Sequence, residues 1–546
     1  MKNGAGSRQD ILAQVQATPD GGVCRISAGT YDITQPIRLE GRRNLTIDGG
    51  GSRLVCRYRS GSASGESSDA FYLLDCEGVT VRRFVIDTDR PVNLAGRVEE
   101  IDREAGDYIL APHPAFRVTG DEALMMQDSY DDEGSFGGKF TYYCRHPDPT
   151  KITWLCGEIL VAATYIGCPY TCLPDGRLRI RVPRDRMGGL ANGQNICIRH
   201  SAYGPTVFLL KNARQTVISD VTVHAAGGMG IVVLPRSEDL VLERFRIETE
   251  PGSPAPMAAN CDGVHIAGLC GKLVMRDCVF SGLGDDALNI HSTAATVAAC
   301  DTGKERLLCR YTKRNPDGRL PLTWCRTGDR IAVLDTETAR TKGYMTVRDF
   351  DGDHLLYADA DCEILAGDRL QNTAFSAAVT VEGCEFCNTR ARALLLQTEQ
   401  IAVRNCRFFG LTLPALLAAP DLKKWHEVGP VRDMTICRNT FVKCGFSGTA
   451  GEIPVIAVQA CHDTADTDDA HVHRNICVRD NVFAGKSGRV VRIAATDGVV
   501  MEGNRLEHYT AVPGCAPYET PGCTGVSCAP DRGEEGNGNI LASDRD

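Results

Sequence analysis

The sequence predicts an all-β molecule: a right-handed parallel β-helix (a solenoid) interrupted by two inserted, small β-barrel-like domains. Three observations predict it. An apolar-alternating template recurs along the chain, its copies start 22 to 24 residues apart where the chain runs uninterrupted, and one template position keeps the same small side chain over consecutive copies. Alternation at period two marks a strand. A repeat of roughly 20–25 residues is the length of one solenoid coil with about three short strands per turn.

The elements follow in chain order. Residues 1–95 hold a cap and the first coils: a short amphipathic helix is expected from about Asp10 to Gln16, then "VCRISAGTYDITQPIRLEGRRNLTIDGGGSRL" and the copy "VTVRRFVI" from Val79. A cap is needed because a bare solenoid end exposes its core. Residues 96–198 break the repeat with "DYILAPHPAF", "KITWLCGEILVAA" and "RLRIRVP", short strands separated by turn residues, and read as an inserted all-β domain. Residues 199–296 return to coils with "TVISDVTV" from Thr216, "LVLERFRI" from Leu240 and "LVMRDCVF" from Leu273. Residues 297–373 form the second insert, with "RLLCRYTKR", "GDRIAVLD" and "HLLYADADCEILAGDRL". Residues 374–508 carry "VTVEGCEF" from Val379, "IAVRNCRF" from Ile401, "MTICRNTF" from Met434, "ICVRDNVF" from Ile476 and "VVMEGNRL" from Val499. Residues 509–546, rich in Gly, Pro and charge, are expected to be an irregular tail.

The sixth template position runs Cys278, Cys384, Cys406, Asn439, Asn481, Asn504. Stacked coils put these side chains in one inward column with rungs about 4.8 Å apart. Most of the 25 cysteines are therefore read as small core residues rather than disulfides or ligands. Cys515, Cys523 and Cys528 lack a zinc spacing.

Composition removes some function classes. A net charge of −10 with no basic block argues against nucleic acid or an anionic membrane as partner. The opening "MKNGAGSRQDILAQVQATPDGG" has no apolar h-region and no later stretch approaches 18 apolar residues, so neither an export signal nor a membrane span is expected in the chain as given. A chain whose signal had been removed would read the same way, so the compartment stays open, and a homo-oligomer is compatible with everything here.

The chemistry concentrates in "NCDGVHIAG" and "GLGDDALNIHS". The strands "MGIVVL", "DGVHIA", "DALNIH" and "RALLLQ", starting at Met229, Asp262, Asp286 and Arg392, align without gaps. Ile231, Val264, Leu288 and Leu394 then form one core column, and Val233, Ile266, Ile290 and Leu396 another. Asp262 and Asp286 become stacked neighbours on the outward face, with His265 beside Asn289, while Asp285 precedes its strand at the turn edge and is expected to point elsewhere. Like charges opposite one another destabilise a sheet and push a carboxyl's pKa upward. One Asp beside a Gly is best read as a turn cap. Three together, with His265, Asn289 and His291 in register, point to general acid/base work. No metal and no cofactor are expected: the histidines suit calcium poorly, and no Cys/His cluster has zinc spacing.

The order N-x-D-G, then G-D-D one coil later, resembles the polygalacturonase type of β-helix glycosidase in Asn260, Asp262, Gly263 and Gly284, Asp285, Asp286. The G-H-G and R-I-K strings that such enzymes carry further on do not occur. The D-G-x-H…G-D-D arrangement, together with two β inserts and "RHSAYGPTVFLLKNAR", more closely resembles glycoside hydrolase family 110 over most of the chain. That resemblance implies an inverting, exo-acting α-1,3-galactosidase acting on a galactose-terminated oligosaccharide or glycoconjugate, the blood group B antigen among its substrates. On this reading Asp262, Asp285 and Asp286 are catalytic: Asp262 and Asp286 sharing a water as base, Asp285 as acid. His265, Asn289, His291, Asn260, Arg199 and His200 are expected to bind substrate, and Trp425 is read as a loop aromatic that could also stack on a sugar. An endo-pectinase and a non-catalytic glycan-binding solenoid are the alternatives.

Overall fold

The computed structural model describes residues 6–528 apart from 58–67, 115, 117–137, 145–161, 166–169, 182–183, 185–186, 188–189, 200–203, 254, 312–317, 447–450 and 462–470. The helix at the start runs Arg8–Ala17, slightly longer than expected, and buries Ile11 and Val15 against the first coils. From there the chain winds as a parallel β-helix with three faces. Two faces are joined through long bent strands, Thr46–Cys56, Thr80–Thr88 and Arg214–Val223. The third face runs through Ile37–Glu40, Ser68–Leu74, Thr206–Lys211, Ile231–Val233, Val264–Ala267, Leu288–Thr293, Leu394–Leu396, Leu416–Ala418, Ile456–Val458, Val491–Ile493 and Tyr518–Glu519.

Strand pairing follows the template. Leu273 pairs Val379 even though the second insert separates them, and Val379 pairs Ile401 in turn. Period two is why: a slip of one residue would turn every core side chain outward. The eighth template position becomes a ladder of phenyl rings. Phe280, Phe386, Phe408, Phe441 and Phe483 stack with centroids 4.6 to 5.5 Å apart and planes within 12° of parallel.

The sixth position is the expected inward column, and its two halves are bonded differently. Asn439, Asn481 and Asn504 form amide rungs. Each of the last two accepts the backbone N–H of the asparagine one coil earlier, at 3.0 and 3.1 Å, and also that asparagine's side-chain amide, at 3.1 Å. Asn439, Asn481 and Asn504 donate to the carbonyls of Val403, Ile436 and Val478. In the thiol half, Cys384 Sγ accepts the Cys278 amide at 3.4 Å, the Cys406 amide donates to Asn439 Oδ1 at 2.9 Å, and the three thiols otherwise make weak sulfur contacts to nearby carbonyls at 3.2 to 3.6 Å. Every described cysteine is a free thiol, and most are buried.

The inserts differ in kind. Residues Ala295–Asp301, Arg306–Arg310, His354–Ala358, Thr341–Phe350, Arg330–Leu334 and Arg369–Asn372 close into a six-stranded barrel. The first insert, among the described residues, is a seven-stranded antiparallel sheet in which Asn93–Asp102 and Asn195–Arg199 pair side by side. Beyond residue 508, where an irregular tail was expected, Tyr518–Glu519 and Thr524–Cys528 still pair in parallel with the preceding coil. The tail's Gly and Pro content hides two strands that are short enough to need only the edge they extend.

Candidate active site

The site lies on the third face, where three coils stack. Ile231 pairs Val264, Val264 pairs Leu288 and Leu288 pairs Leu394, so both core columns run unbroken through the site, and His265 pairs Asn289. Two residues before these strands, Asp262 and Asp286 occupy adjacent coils: the Gly230 amide donates to the Asp262 carbonyl and the Gly263 amide to the Asp286 carbonyl. They face outward, yet they are only 5% and 3% exposed. What covers them is the rest of the site.

Glycines set the coil spacing here. A Cβ on Gly284 would stand 2.3 Å from the Asn260 carbonyl oxygen, and one on Gly263 2.6 Å from that of Ala287. Real side chains do not tolerate such contacts, so only glycine lets these turns nest. Nesting corrects one expectation. Asp285 does not turn away: ligand atoms of Cys261, Asp262 and Asp285 all lie within 4.8 Å of one another. The close approach of Gly284 to Asn260 brings the Asp285 turn against Cys261 and Asp262. Asp285 remains the most accessible of the three carboxylates, its side chain 26% exposed, and Arg390 Nη2 holds it at 2.8 Å.

Each carboxylate has a different partner. Asp286 accepts from the Arg392 guanidinium at 2.7 Å and from the Arg392 amide at 2.9 Å. Asp262 bonds His265 Nδ1 at 2.8 Å. Burial pushes the Asp262 carboxyl well above the usual carboxylate range, and the Asp285 and Glu427 charges add to it. Asp286 is pushed up to about 7, mainly by burial, with the Arg392 charge opposing and the Asp285 and Asp262 charges adding. Buried carboxyls lose hydration that neighbours only partly replace, so the neutral form gains.

Glu427 completes the cluster and was not anticipated. It sits on the two-residue strand Glu427–Val428, which pairs antiparallel with Ser292–Thr293. Its Oε2 accepts from the Asn289 amide at 3.1 Å and its Oε1 lies 3.6 Å from His291 Nε2. His291 Nε2 is in turn 3.3 Å from His265 Nε2. The loop is fixed by Asp421, whose Oδ1 accepts the amides of Lys423, Lys424 and Trp425. The barrel braces the same strand, since the buried Trp324 donates through Nε1 to the Thr293 carbonyl at 2.8 Å. Trp425 is half-buried on this loop, with Lys424 Nζ 5.6 Å from its ring centroid. A signal for Glu427 was present: the copies at Ile401 and Met434 are 33 residues apart, and the surplus is the polar turn "DLKKWHEV".

Two expected binding residues do other work. Asn260 is fully buried, and its amide donates to the Val92 and Gly227 carbonyls while its Oδ1 accepts from Asn93. Arg199 is 1% exposed and its Nη1 donates to the Asn260 carbonyl. Both tie the first insert to the turn that carries Asp262. His200 lies outside the described residues.

No family model matches the chain. Curated relatives do. Alpha-1,3-galactosidase A of Bacteroides fragilis is 24% identical over 486 residues, covering 87% of this chain and 76% of that protein. This chain resembles alpha-1,3-galactosidases over nearly nine-tenths of its length. Alpha-1,3-galactosidase B of Bacteroides thetaiotaomicron is 23% identical over the same shares of the two chains. Alpha-1,3-galactosidase A of Shewanella woodyi is 22% identical, covering 86% of this chain and 74% of its own length. Among solved structures, the polygalacturonase of Erwinia carotovora aligns with a TM-score of 0.42 at 10% identity, covering 95% and 94% of the two chains. A mannuronan C-5 epimerase module of Azotobacter vinelandii aligns at 0.37 with 11% identity, covering 97% and 98%.

Proposed function

We infer that the chain is an exo-acting α-1,3-galactosidase of glycoside hydrolase family 110 that works with inversion. The observation that carries the reading is the convergence of Asp262, Asp285 and Asp286 on one face, each in a different electrostatic setting. The sequence likeness to alpha-1,3-galactosidases supplies the linkage and the sugar.

Inversion needs one carboxylic acid to protonate the leaving oxygen and one carboxylate to activate water across the ring. A buried cluster with raised proton affinity keeps both forms present near neutral pH. Asp285, the most accessible of the three, protonates the glycosidic oxygen as the aglycone leaves. Asp286, partly ionised near pH 7, takes the proton of the water that attacks the anomeric carbon, and Asp262, one strand away, hydrogen-bonds the same water. Arg392 keeps Asp286 from becoming wholly protonated, and Arg390 aims Asp285. His265, Asn289, His291 and Glu427 bind galactose hydroxyls. Terminal α-1,3-galactose on linear chains and on the branched blood group B antigen are the proposed substrates.

The test is galactose release from a Gal-α-1,3-Gal glycan, with proton NMR reading the first anomer formed. β-Galactose is expected first; α-galactose appearing first would refute inversion. Asp→Asn at 262, 285 and 286 should each abolish release. Cleavage of polygalacturonate instead, or glycan binding without any hydrolysis, would refute the assignment altogether.

A further inference from the structure

The hydroxyl-binding side of the site has a second chemistry. Ligand atoms of His265, His291 and Glu427 lie within 4.8 Å of one another, on side chains drawn from two coils and a separate loop. The spacing within that set is tighter still: 3.3 Å from His265 Nε2 to His291 Nε2, and 3.6 Å from His291 Nε2 to Glu427 Oε1. With metal–ligand bonds of 2.0–2.1 Å, two ligands of a tetrahedral zinc stand about 3.3 Å apart. The observed pair of nitrogens already has that separation.

The far side of each imidazole agrees. A metal-bound histidine nearly always gives its other ring N–H to a carboxylate or a backbone carbonyl, which fixes the tautomer and turns the lone pair to the ion. His265 Nδ1 meets the Asp262 carboxylate at 2.8 Å, and His291 Nδ1 meets the Ser292 carbonyl at 3.1 Å. In the tautomers with both ring protons on Nδ1, the two Nε2 lone pairs face one point, with a carboxylate oxygen beside them. The rings are held nearly perpendicular, at 74°, so both lone pairs can converge without stacking. Glu427 is itself oriented, since its other oxygen accepts from Asn289 at 3.1 Å.

We propose that His265, His291 and Glu427 form a binding site for a divalent transition-metal ion of the zinc class, with Asp262 and Ser292 orienting the two imidazoles. Two imidazoles and one carboxylate suit a borderline ion rather than calcium or magnesium. Three protein ligands leave a fourth position for water. The ion takes the lone pairs that would otherwise meet sugar hydroxyls, so it competes with substrate and inhibits. The inhibition rests on the galactosidase reading; the binding does not.

The test starts with the full chain, stripped by chelator and titrated with Co²⁺ at pH 7.5. One equivalent should bind with visible d–d bands and no near-ultraviolet thiolate band, and Zn²⁺ should displace it. His291→Gln and Glu427→Gln should each weaken binding at least about 10-fold, as should Asp262→Asn through loss of orientation, while Cys261→Ser should leave it unchanged. If galactose release is found, Zn²⁺ should suppress it competitively, and a chelator should restore it. Two results would overturn the proposal. No binding by the unmodified protein up to millimolar metal would assign the gap between the nitrogens to a shared hydrogen. A thiolate band lost in Cys261→Ser would move the ion to Cys261, Asp262 and Asp285.

Discussion

Asp286→Asn should remove a pH-dependent weakness from the fold. In the folded chain the Asp286 carboxyl holds its proton up to about 7, against 3.8 for an ordinary Asp. The unfolded chain releases that proton near the ordinary value. Between those two pH values the folded state binds more protons, so stability falls as pH rises, and the full loss is reached above about 7. Roughly three powers of ten in proton affinity, at 1.36 kcal/mol each, set a ceiling of about 4 kcal/mol on that loss. The substitution also weakens the bond to the Arg392 guanidinium, which costs about 1.5–3 kcal/mol. The variant should therefore be less stable than the parent at pH 5 and should match or exceed it at pH 9. A long solenoid need not unfold in one step, so hydrogen exchange of the amides around Leu288 measures this better than a global melt. The Asp262 charge acts on Asp286, so the difference between the two pH profiles reports Asp286 together with its coupling to Asp262. Identical profiles would refute the reasoning.

Other positions give independent checks. Glu427→Gln removes the charge that Asn289 and His291 face; kcat/KM on an α-1,3-galactoside should fall about 10- to 100-fold, while the circular dichroism spectrum stays that of the parent. Phe386→Ala opens a hole in the phenyl ladder between Phe280 and Phe408 and should cost about 3–5 kcal/mol, read as a lowered denaturant midpoint. Asn481→Leu keeps the volume but unpairs the Asn439 N–H and the Ile436 carbonyl. About 1–3 kcal/mol is expected for each group, seen as faster hydrogen exchange across those coils.

The fold was legible because period two and a near-constant coil length leave one register. From that register alone Asp262 falls beside Asp286, and His265 beside Asn289, as observed. What the sequence hid lies off the template. Glu427 reaches Asn289 across 138 positions, on a loop that no alternation describes. The inward lean of Asp285 depends on how closely Gly284 nests on Asn260, a three-dimensional contact with only an ambiguous one-residue trace. Asn260 and Arg199 looked like ligand-binding residues because they are polar and close in sequence to the aspartates. Both bond backbone carbonyls where the first insert joins the coil. A barrel-like second insert was expected from short strands between turn residues, but its bracing of the Ser292–Thr293 segment through Trp324 was not.

The change from sulfur to amide along the sixth column makes the molecule unequal under load. A stack of coils gives way from an end or at its weakest rung. The asparagine rungs cross-link three successive coils near the C-terminal end, so pulling there must break several amide bonds together. The thiol rungs make fewer and longer links, the Cys278 amide donating to Cys384 Sγ at 3.4 Å, and the chain passes from Cys278 directly into the turn of Asp285 and Asp286. The far end of the solenoid is thus cross-linked by amides, and the section behind the aspartates by longer and weaker sulfur contacts.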